Sequence, residues 1–245
     1  MKYKSIFISD CHLWTKFSQA DTLLNFLKKY KSENLFLVWD IIDGWAMKRK
    51  FKWYEPHSKI IQEIFKKAKK WTKIYIITWN HDEFLREFTP FVLWKNVEFA
   101  DEFSYVWANW KKYLITHWDF FDWFIASTSW VPKIWSFLYE ILLNINFMLN
   151  KLANFFNIKK RITFSKYVKN KVKKSVNFIT DFENVLAKYA KDGWYDGVIC
   201  WHIHKAEMKS IEDIEYLNCG DFIESCTAIL ETKKWEFNIY DYHSK

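Results

Sequence analysis

The sequence predicts an α/β fold with one helical insert, and three observations support this prediction. Over the first 120 residues, short apolar runs rich in β-branched and aromatic residues alternate with longer amphipathic segments. That pattern stops at about residue 123 and resumes after about residue 190. Half of the 245 residues are hydrophobic and 27% are charged, which excludes a disordered or collagen-like chain. We therefore expect one domain over residues 1–245 that carries an insert at about 123–190.

Each predicted element follows from its local pattern. Before the insert, buried strands are expected at Ser5–Ser9, Leu35–Val38, Lys73–Thr78 and Tyr113–Thr116. Apolar residues at helical spacing predict helices between these strands, over Gln19–Tyr30 and His57–Lys70. The insert is expected to be helical because it combines an apolar stretch with an amphipathic one, Lys133–Phe156 and Val176–Tyr189. After it, strands are expected at Gly197–Cys200, Ile214–Leu217, Thr227–Leu230 and Glu236–Tyr240.

The positive charge of the chain is concentrated in the insert. The formal net charge is +8, and nine basic residues with no acidic one lie between Lys151 and Lys174. A local basic patch suggests an anionic partner, which would be a phosphate group, a nucleic acid or an acidic membrane surface. The alternative is an ordinary solvated helix face.

The cysteines and the hydropathy pattern bear on the compartment. The four cysteines, Cys11, Cys200, Cys219 and Cys226, show no CxxC spacing, and no secretory signal precedes them. The longest uncharged stretch, Ile141–Asn150, is shorter than the roughly 20 apolar residues that a membrane-spanning helix needs. We therefore expect a soluble or membrane-surface protein in the reducing cytoplasm.

Five groups of Asp, Asn and His residues directly follow predicted strands. They are Asp10-Cys11-His12, Asp40-Ile41-Ile42-Asp43, Asn80-His81-Asp82, His117-Trp118-Asp119 and His202-Ile203-His204. Because each group follows a buried strand, the side chains should gather at one edge of a sheet. Carboxylates, imidazoles and an amide oxygen suit divalent manganese, iron, zinc or magnesium. One such group is weak evidence, but five in succession point to a metal site.

In this order the five groups resemble the calcineurin-like metallophosphoesterases, whose pattern is D-x-H, G-D-x-x-D, G-N-H-D/E, H-G-D and G-H-x-H. The resemblance runs from Asp10 to His204. It implies a four-layer α/β/β/α sandwich with a helical cap, and hydrolysis of a phosphoester or pyrophosphate bond at two divalent ions. Manganese is the expected metal, with iron, zinc and magnesium as alternatives.

The resemblance also implies a role for individual residues. The first ion would be held by Asp10, His12, Asp40 and His204, and the second by Asp40, Asn80, His117 and His202. Two cations held close together neutralise phosphate oxygens and activate water for in-line attack. His81 would assist the leaving oxygen, and Asp82 would fix the tautomer of His81. Asp43 and Asp119 would orient ligands.

Within the family, the chain looks most like bacterial UDP-2,3-diacylglucosamine diphosphatases. The resemblance rests on the segments Ser9–Leu13, Asp40–Trp45, Asn80–Arg86, Asn218–Asp221 and Glu224–Ala228. It implies cleavage of an acylated sugar nucleotide to UMP and a lipid sugar phosphate in lipid A synthesis, by a cytoplasmic enzyme touching an anionic membrane. The candidate substrate contacts are Asn80, His81, Asp122, Lys171 and Lys174.

Two alternatives to this activity stay open. One is a phosphodiesterase or nuclease, in which the basic run would follow a nucleic acid backbone. That run lacks regularly interleaved aromatic residues for base stacking, which makes nucleic acid the less favoured partner. The other is a catalytically silent scaffold that keeps the fold and binds other proteins.

The chain departs from the family pattern in its use of tryptophan. It contains 16 Trp and only 4 Gly, whereas glycine usually makes up about 7% of residues. Trp39, Trp79, Trp118 and Trp201 stand where the pattern has glycine, as do Trp14 and Trp194. Trp71, Trp110 and Trp235 stand at expected turns. Our hypothesis is that UGA codons meaning glycine have been translated as tryptophan, whereas Trp45 and Trp53 are authentic.

Overall fold

In the computed structural model of the chain, the described residues fall into seven segments and two isolated positions. They are 2–13, 15, 18–38, 41, 54–77, 89–107, 110–116, 183–201 and 205–244. The chain divides into two compact units, one formed by Met1–Trp118 with Glu183–Lys245 and the other by Asp119–Phe182. The second unit and most of the predicted insert lie outside the described residues, so the boundaries of the insert stay a prediction.

The described residues form strands and helices in the predicted alternation. The strands are β1 (Lys2–Ser9), β2 (Lys31–Val38), β3 (Lys73–Ile77), β4 (Phe91–Trp94), β5 (Val97–Ala100), β6 (Phe103–Val106), β7 (Lys112–Ile115), β8 (Gly197–Cys200), β9 (Glu207–Ile211), β10 (Ile214–Asn218), β11 (Thr227–Glu231) and β12 (Phe237–Asp241). The helices are α1 (Ala20–Lys29), α2 (Glu55–Lys69) and α3 (183–192). In this part of the chain, no helix has the length and apolar character needed to cross a membrane.

The strands form two sheets. The first has seven strands in the order β12-β11-β1-β2-β3-β5-β4, and the second has five in the order β6-β7-β8-β10-β9. Strands β1, β2, β3 and β5 run parallel in the first sheet, as do β7, β8 and β10 in the second. In the carboxyl-terminal halves of β1 and β2, Ile6–Ile8 and Leu35–Val38 are continuously apolar, because both faces of these strands are covered there.

The two sheets pack face to face, and helices cover the outside. Between the sheets, Phe7 and Phe36 stack with ring centroids 4.7 Å apart and share one core with Tyr113 and Ile199 of the second sheet. On the outer face of the first sheet, apolar residues of β1 and β2 pack against α1 and α2. Helix α3 is joined to β9 of the second sheet by a 2.7 Å hydrogen bond from Lys209 Nζ to Glu183. The predicted fold class is confirmed.

All eight predicted strands form, and each end lies within four residues of the prediction. Four further strands, β4, β5, β6 and β9, were not predicted. Pro90 directly precedes β4, but the turns Lys95-Asn96 between β4 and β5 and Glu212-Asp213 between β9 and β10 contain neither glycine nor proline. Because these two turns lack the usual signals, the short hairpins were missed.

A buried hydrogen-bond network ties the two sheets together. Tyr105 of the second sheet donates to Glu231 Oε2 at 2.6 Å, and its hydroxyl lies 2.8 Å from Ser5 Oγ. Ser5 and Glu231 are cross-strand partners in the first sheet. Burial raises the pKa of the Glu231 carboxyl, and hydrogen bonds from Ser5 and Tyr105 offset this only in part. The folded protein therefore holds the Glu231 proton more tightly than the unfolded chain does.

This network predicts a pH dependence of stability. Because the folded pKa of Glu231 is raised, its stabilising effect is complete below the unfolded value of 4.5 and is lost as the pH rises through the folded pKa. We expect Glu231→Gln, which keeps an acceptor oxygen but cannot titrate, to gain stability relative to the wild type as the pH rises from 4 to 8. Urea unfolding at several pH values measures this difference.

Glu33 is the matched control. A hydrogen bond from Lys4 lowers the pKa of Glu33, so this exposed carboxylate stabilises the fold above pH 4.5 and less so below it. Glu33→Gln should therefore give a small difference of the opposite sign. Equal pH profiles for Glu231→Gln and the wild type would contradict the account of the buried network.

Candidate metal centre

The carboxyl ends of the parallel strands of the first sheet lie side by side. Ser9 at the end of β1 is paired with Val38 at the end of β2, and Val38 is paired with Ile77 at the end of β3. In sequence, three of the five predicted ligand groups begin within three residues of these strand ends. The strand register therefore brings the starting points of these three groups to one edge of the sheet.

The second sheet is aligned in the same way. Ile115 at the end of β7 is paired with Ile199 of β8, and Cys200 at the end of β8 is paired with Asn218 of β10. The groups that begin at His117 and His202 follow β7 and β8 by two residues. Both remaining groups therefore start from one edge of the second sheet.

The segment after β10 joins these two edges. Cys219 donates its backbone N–H to Cys200 O at 3.0 Å, which keeps it beside the end of β8. Gly220 O accepts a 2.7 Å hydrogen bond from Ser9 Oγ, and Phe222 N donates to Asp10 O at 3.3 Å. The carboxyl edges of the two sheets are thus adjacent, and in the sequence all five predicted groups follow strands that end there.

Asp10 and His12 are the predicted ligands that the structure describes, and it brings them together. Asp10 is fully buried, and its Oδ1 lies 2.8 Å from His12 Nε2. Both residues have positive φ, 52° for Asp10 and 39° for His12, and Asp and His are among the residue types that adopt this conformation most readily. The sharp turn after β1 therefore points both side chains toward one place.

This pair fits a divalent ion. Two neighbouring ligands of one ion, at bond lengths of about 2.1 Å, lie roughly 3 Å apart, which is close to the observed separation. A buried carboxylate is costly unless it is paired with a cation or hydrogen-bonded, and an ion beside Asp10 would provide the cation. The oxygen and nitrogen donors of this pair suit the metals expected from the sequence.

A backbone hydrogen bond connects the turns after β1 and β2. Leu13 N donates to Ile41 O at 2.9 Å. Asp40, the residue that the resemblance assigns to both ions, directly precedes Ile41 in the sequence. Ile41 is therefore held next to the turn that carries His12.

The other predicted site residues lie outside the described part of the chain. They are Asp40, Asn80, His81, Asp82, His117, Asp122, Lys171, Lys174, His202 and His204. Within the described residues, no group of three or more His, Cys, Asp or Glu side chains is arranged to hold a metal ion. The complete ligand set therefore stays a prediction.

The segment Asn218–Asp221 has a structural role that the sequence analysis did not assign. Buried Asp221 accepts hydrogen bonds at Oδ1 from the backbone N–H groups of Ile223, Glu224 and Ser225, which shapes the turn after Gly220. Gly220 has a φ of +73°, and a Cβ there would lie 2.0 Å from Thr227 Oγ1. In the sequence, this turn could have been recognised from the glycine and the aspartate that directly follow a strand.

Two of the cysteines are buried near the carboxyl end of β8. Cys200 and Cys219 are both free. Burial raises the pKa of the Cys200 thiol to about 12 and holds that of Cys219 well above its ordinary value. Both thiols are therefore protonated at neutral pH in the metal-free chain.

A two-sheet α/β sandwich with a carboxylate–imidazole pair after its first strand is the architecture of a metal-dependent phosphoester hydrolase. The sequence pattern of the family described as calcineurin-like phosphoesterase matches residues 3–223. The chain belongs to this family and is a hydrolase that acts on phosphoester bonds. Members typically depend on two metal ions.

Comparison with other proteins gave distant matches only. No curated protein matches the sequence. Among solved structures, an archaeal phosphodiesterase is 14% identical at a TM-score of 0.43, with 97% of this chain and 98% of that chain covered. Zinc-bound Vps29 from Entamoeba histolytica is 12% identical at a TM-score of 0.42, with 97% and 91% covered. A predicted phosphoesterase from Streptococcus pneumoniae is 13% identical at 0.40, with 98% and 97% covered. The family assignment rests on the family pattern and not on these neighbours.

Cys219–Phe222, the segment that joins the edges of the two sheets, is called the Gly220 junction below. It leads to a prediction for stability and activity. We expect Gly220→Ala to lower the free energy of unfolding by at least about 2 kcal/mol, because the left-handed backbone and the contact with Thr227 both oppose a Cβ. Hydrolysis of a small phosphodiester should fall as well, because Gly220 is hydrogen-bonded to Ser9, the residue directly before Asp10. Urea unfolding and steady-state kinetics measure the two effects.

Gly193→Ala is the matched control. A Cβ at Gly193 would approach the Tyr195 ring to 3.0 Å without meeting a backbone atom closer than 3.4 Å. This variant should keep nearly the wild-type stability and activity. If Gly220→Ala behaves like Gly193→Ala, the junction is not the constraint described here.

Proposed function

We propose that this chain hydrolyses the pyrophosphate bond of an acylated sugar nucleotide, of the UDP-2,3-diacylglucosamine type, at a centre of two divalent ions. The observation that carries the proposal is the buried Asp10–His12 pair, located where the segments after β1, β2 and β10 meet. Manganese is the metal we expect. The products would be UMP and a lipid sugar phosphate.

The proposed roles of the residues are those that the resemblance to the family implies. Asp10 and His12 would hold one ion, and Ser9 and Gly220 would fix the backbone from which they project. Asp40, Asn80, His117, His202 and His204 would complete the ligand set. His81 would protonate or stabilise the leaving oxygen, with Asp82 orienting its ring.

The choice of substrate is supported by the sequence of the junction and by the charge of the insert. One of the segments that resemble the sugar-nucleotide hydrolases is Asn218-Cys219-Gly220-Asp221. The backbone of this segment joins the two sheets. Between Lys151 and Lys174, nine positive charges lie next to an apolar stretch in the sequence. Such a combination suits a molecule with a pyrophosphate and acyl chains. Lys171, Lys174 and Asp122 are the proposed contacts, and we propose a cytoplasmic enzyme that touches an anionic membrane.

The experiment compares substrates on protein made with glycine at the suspect tryptophan positions, after it has been stripped of metal and reloaded with manganese, iron, zinc or magnesium. The panel contains UDP-2,3-diacylglucosamine, the same sugar nucleotide without acyl chains, an aryl phosphodiester and a single-stranded oligonucleotide. We expect the highest kcat/KM for the acylated sugar nucleotide. Preferred cleavage of the oligonucleotide would identify a nuclease instead, and no metal-dependent turnover of any substrate would identify a scaffold.

A charge-reversal pair tests the proposed contacts. Lys171→Glu combined with Lys174→Glu should lower kcat/KM for the acylated sugar nucleotide much more than for the aryl phosphodiester, because only the first substrate presents a pyrophosphate and acyl chains to the insert. The control is Lys69→Glu with Lys70→Glu, which makes the same charge change just before the start of β3. An equal loss on both substrates would contradict a role in substrate recognition.

A further inference from the structure

Four tryptophans adopt a backbone conformation that favours glycine. The φ angles are 68° at Trp71, 64° at Trp110, 60° at Trp194 and 64° at Trp235. In the left-handed region the Cβ of an L-residue crowds the following carbonyl, and bulky residues are rarely found there. The described part of the chain contains seven tryptophans, so more than half of them are in this conformation.

Two of these tryptophans end helices in the position that glycine usually takes. After α2, Thr72 N donates to Lys67 O and Trp71 N donates to Ala68 O, at 3.1 and 3.0 Å. This pair of hydrogen bonds defines a Schellman motif, whose left-handed residue is Trp71. Glycine is the usual residue there because it lacks a Cβ.

The end of α3 has the same pair of hydrogen bonds. Tyr195 N donates to Ala190 O and Trp194 N donates to Lys191 O, both at 3.0 Å. Trp194 is the left-handed residue, and its side chain is 87% exposed. Burial of the indole therefore contributes little free energy to offset the unfavourable backbone conformation.

The other two tryptophans occupy the glycine position of three-residue hairpin loops. Between β6 and β7, Trp107 N donates to Lys111 O at 2.7 Å, and Trp110 is the last loop residue. Between β11 and β12, Thr232 N donates to Glu236 O at 2.9 Å, and Trp235 is the last loop residue. Such loops combine a turn with one left-handed residue, which is typically glycine.

Trp107 shows what an authentic tryptophan looks like in this fold. Its φ is not positive, its ring stacks on Phe237 with centroids 5.4 Å apart, and it meets Tyr113 edge-on at 5.9 Å. By contrast, the side chains of Trp71, Trp110 and Trp194 are 83–87% exposed. The backbone conformation thus separates all four tryptophans from Trp107, and exposure separates three of them, since Trp235 is only 38% exposed.

We infer that the polypeptide made in the source organism carries glycine at positions 71, 110, 194 and 235, and tryptophan at position 107. The codons at the four turn positions specify glycine there and have been translated as tryptophan. The glycine-poor and tryptophan-rich composition agrees with this assignment. Position 201, directly before the predicted ligand His202, is assigned glycine from the family pattern alone, because Trp201 has no positive φ and is only 9% exposed.

Thermal unfolding tests the backbone argument independently of the codons. At positions 71 and 194, we expect the Trp→Gly variant to melt about 2–4 °C above the Trp→Ala variant, because alanine keeps the Cβ that opposes the left-handed conformation. Trp107→Gly should melt below Trp107→Ala, since glycine only adds chain entropy there. An alanine variant as stable as the glycine variant at both turns would overturn the argument.

Peptide mass spectrometry of the protein isolated from cells of the source organism decides the assignment. Trypsin releases residues 96–111 as one peptide that contains both positions 107 and 110, and residues 192–205 as one that contains positions 194 and 201. We expect fragment ions with tryptophan at 107 and glycine at 110, 194 and 201. The chain expressed with the printed sequence provides the reference masses. Tryptophan at 110 and 194 in the native peptides, or glycine at 107, would overturn the inference.

Discussion

The hydrogen bond from Ser9 Oγ to Gly220 O is the contact on which the arrangement of the candidate site depends. It joins the carboxyl end of β1 to the segment that leaves β10, and so it aligns the edges of two sheets that share no strand pairing. Five groups of predicted ligands begin at these edges. If the two edges were displaced, the groups from the first sheet could not meet those from the second, and the buried Asp10 would lose its place beside the ends of β8 and β10.

The rest of the sandwich keeps this alignment in place. The stacked rings of Phe7 and Phe36 fill the space between the sheets, and the Ser5–Tyr105–Glu231 network supplies directional contacts across the same space. Apolar burial is insensitive to small sliding movements, whereas hydrogen bonds fix distance and angle. The aromatic core therefore stabilises the packing of the two sheets, whereas the polar contacts fix their relative position. The same contacts fix the position of the candidate site at one end of the sheets.

Sequence patterns could predict the parallel strands, because burial on both faces makes them short, apolar and rich in β-branched residues. They could also predict Asp10 and His12, since a ligand pair directly after a buried strand is a local signal. The junction at Gly220 was not predictable in the same way, because Ser9 and Gly220 are 211 positions apart and their contact arises only in the folded sheets. Likewise, β9 was missed because its contacts with β10 across an ordinary Glu-Asp turn decide its conformation, not its own alternation of residues.

The central claim is that Asp10 and His12 hold a divalent ion at the carboxyl edge of the two sheets. Calorimetric titration of the metal-stripped chain with manganese, in the wild type and in Asp10→Asn, tests it most directly, because the substitution keeps the size of the side chain and removes its charge. Asp213→Asn, an exposed position in the turn before β10 and so at the amino end of that strand, is the control. We expect two bound ions in the wild type and in Asp213→Asn, and the loss or strong weakening of at least one in Asp10→Asn. Unchanged stoichiometry and affinity in Asp10→Asn would contradict it.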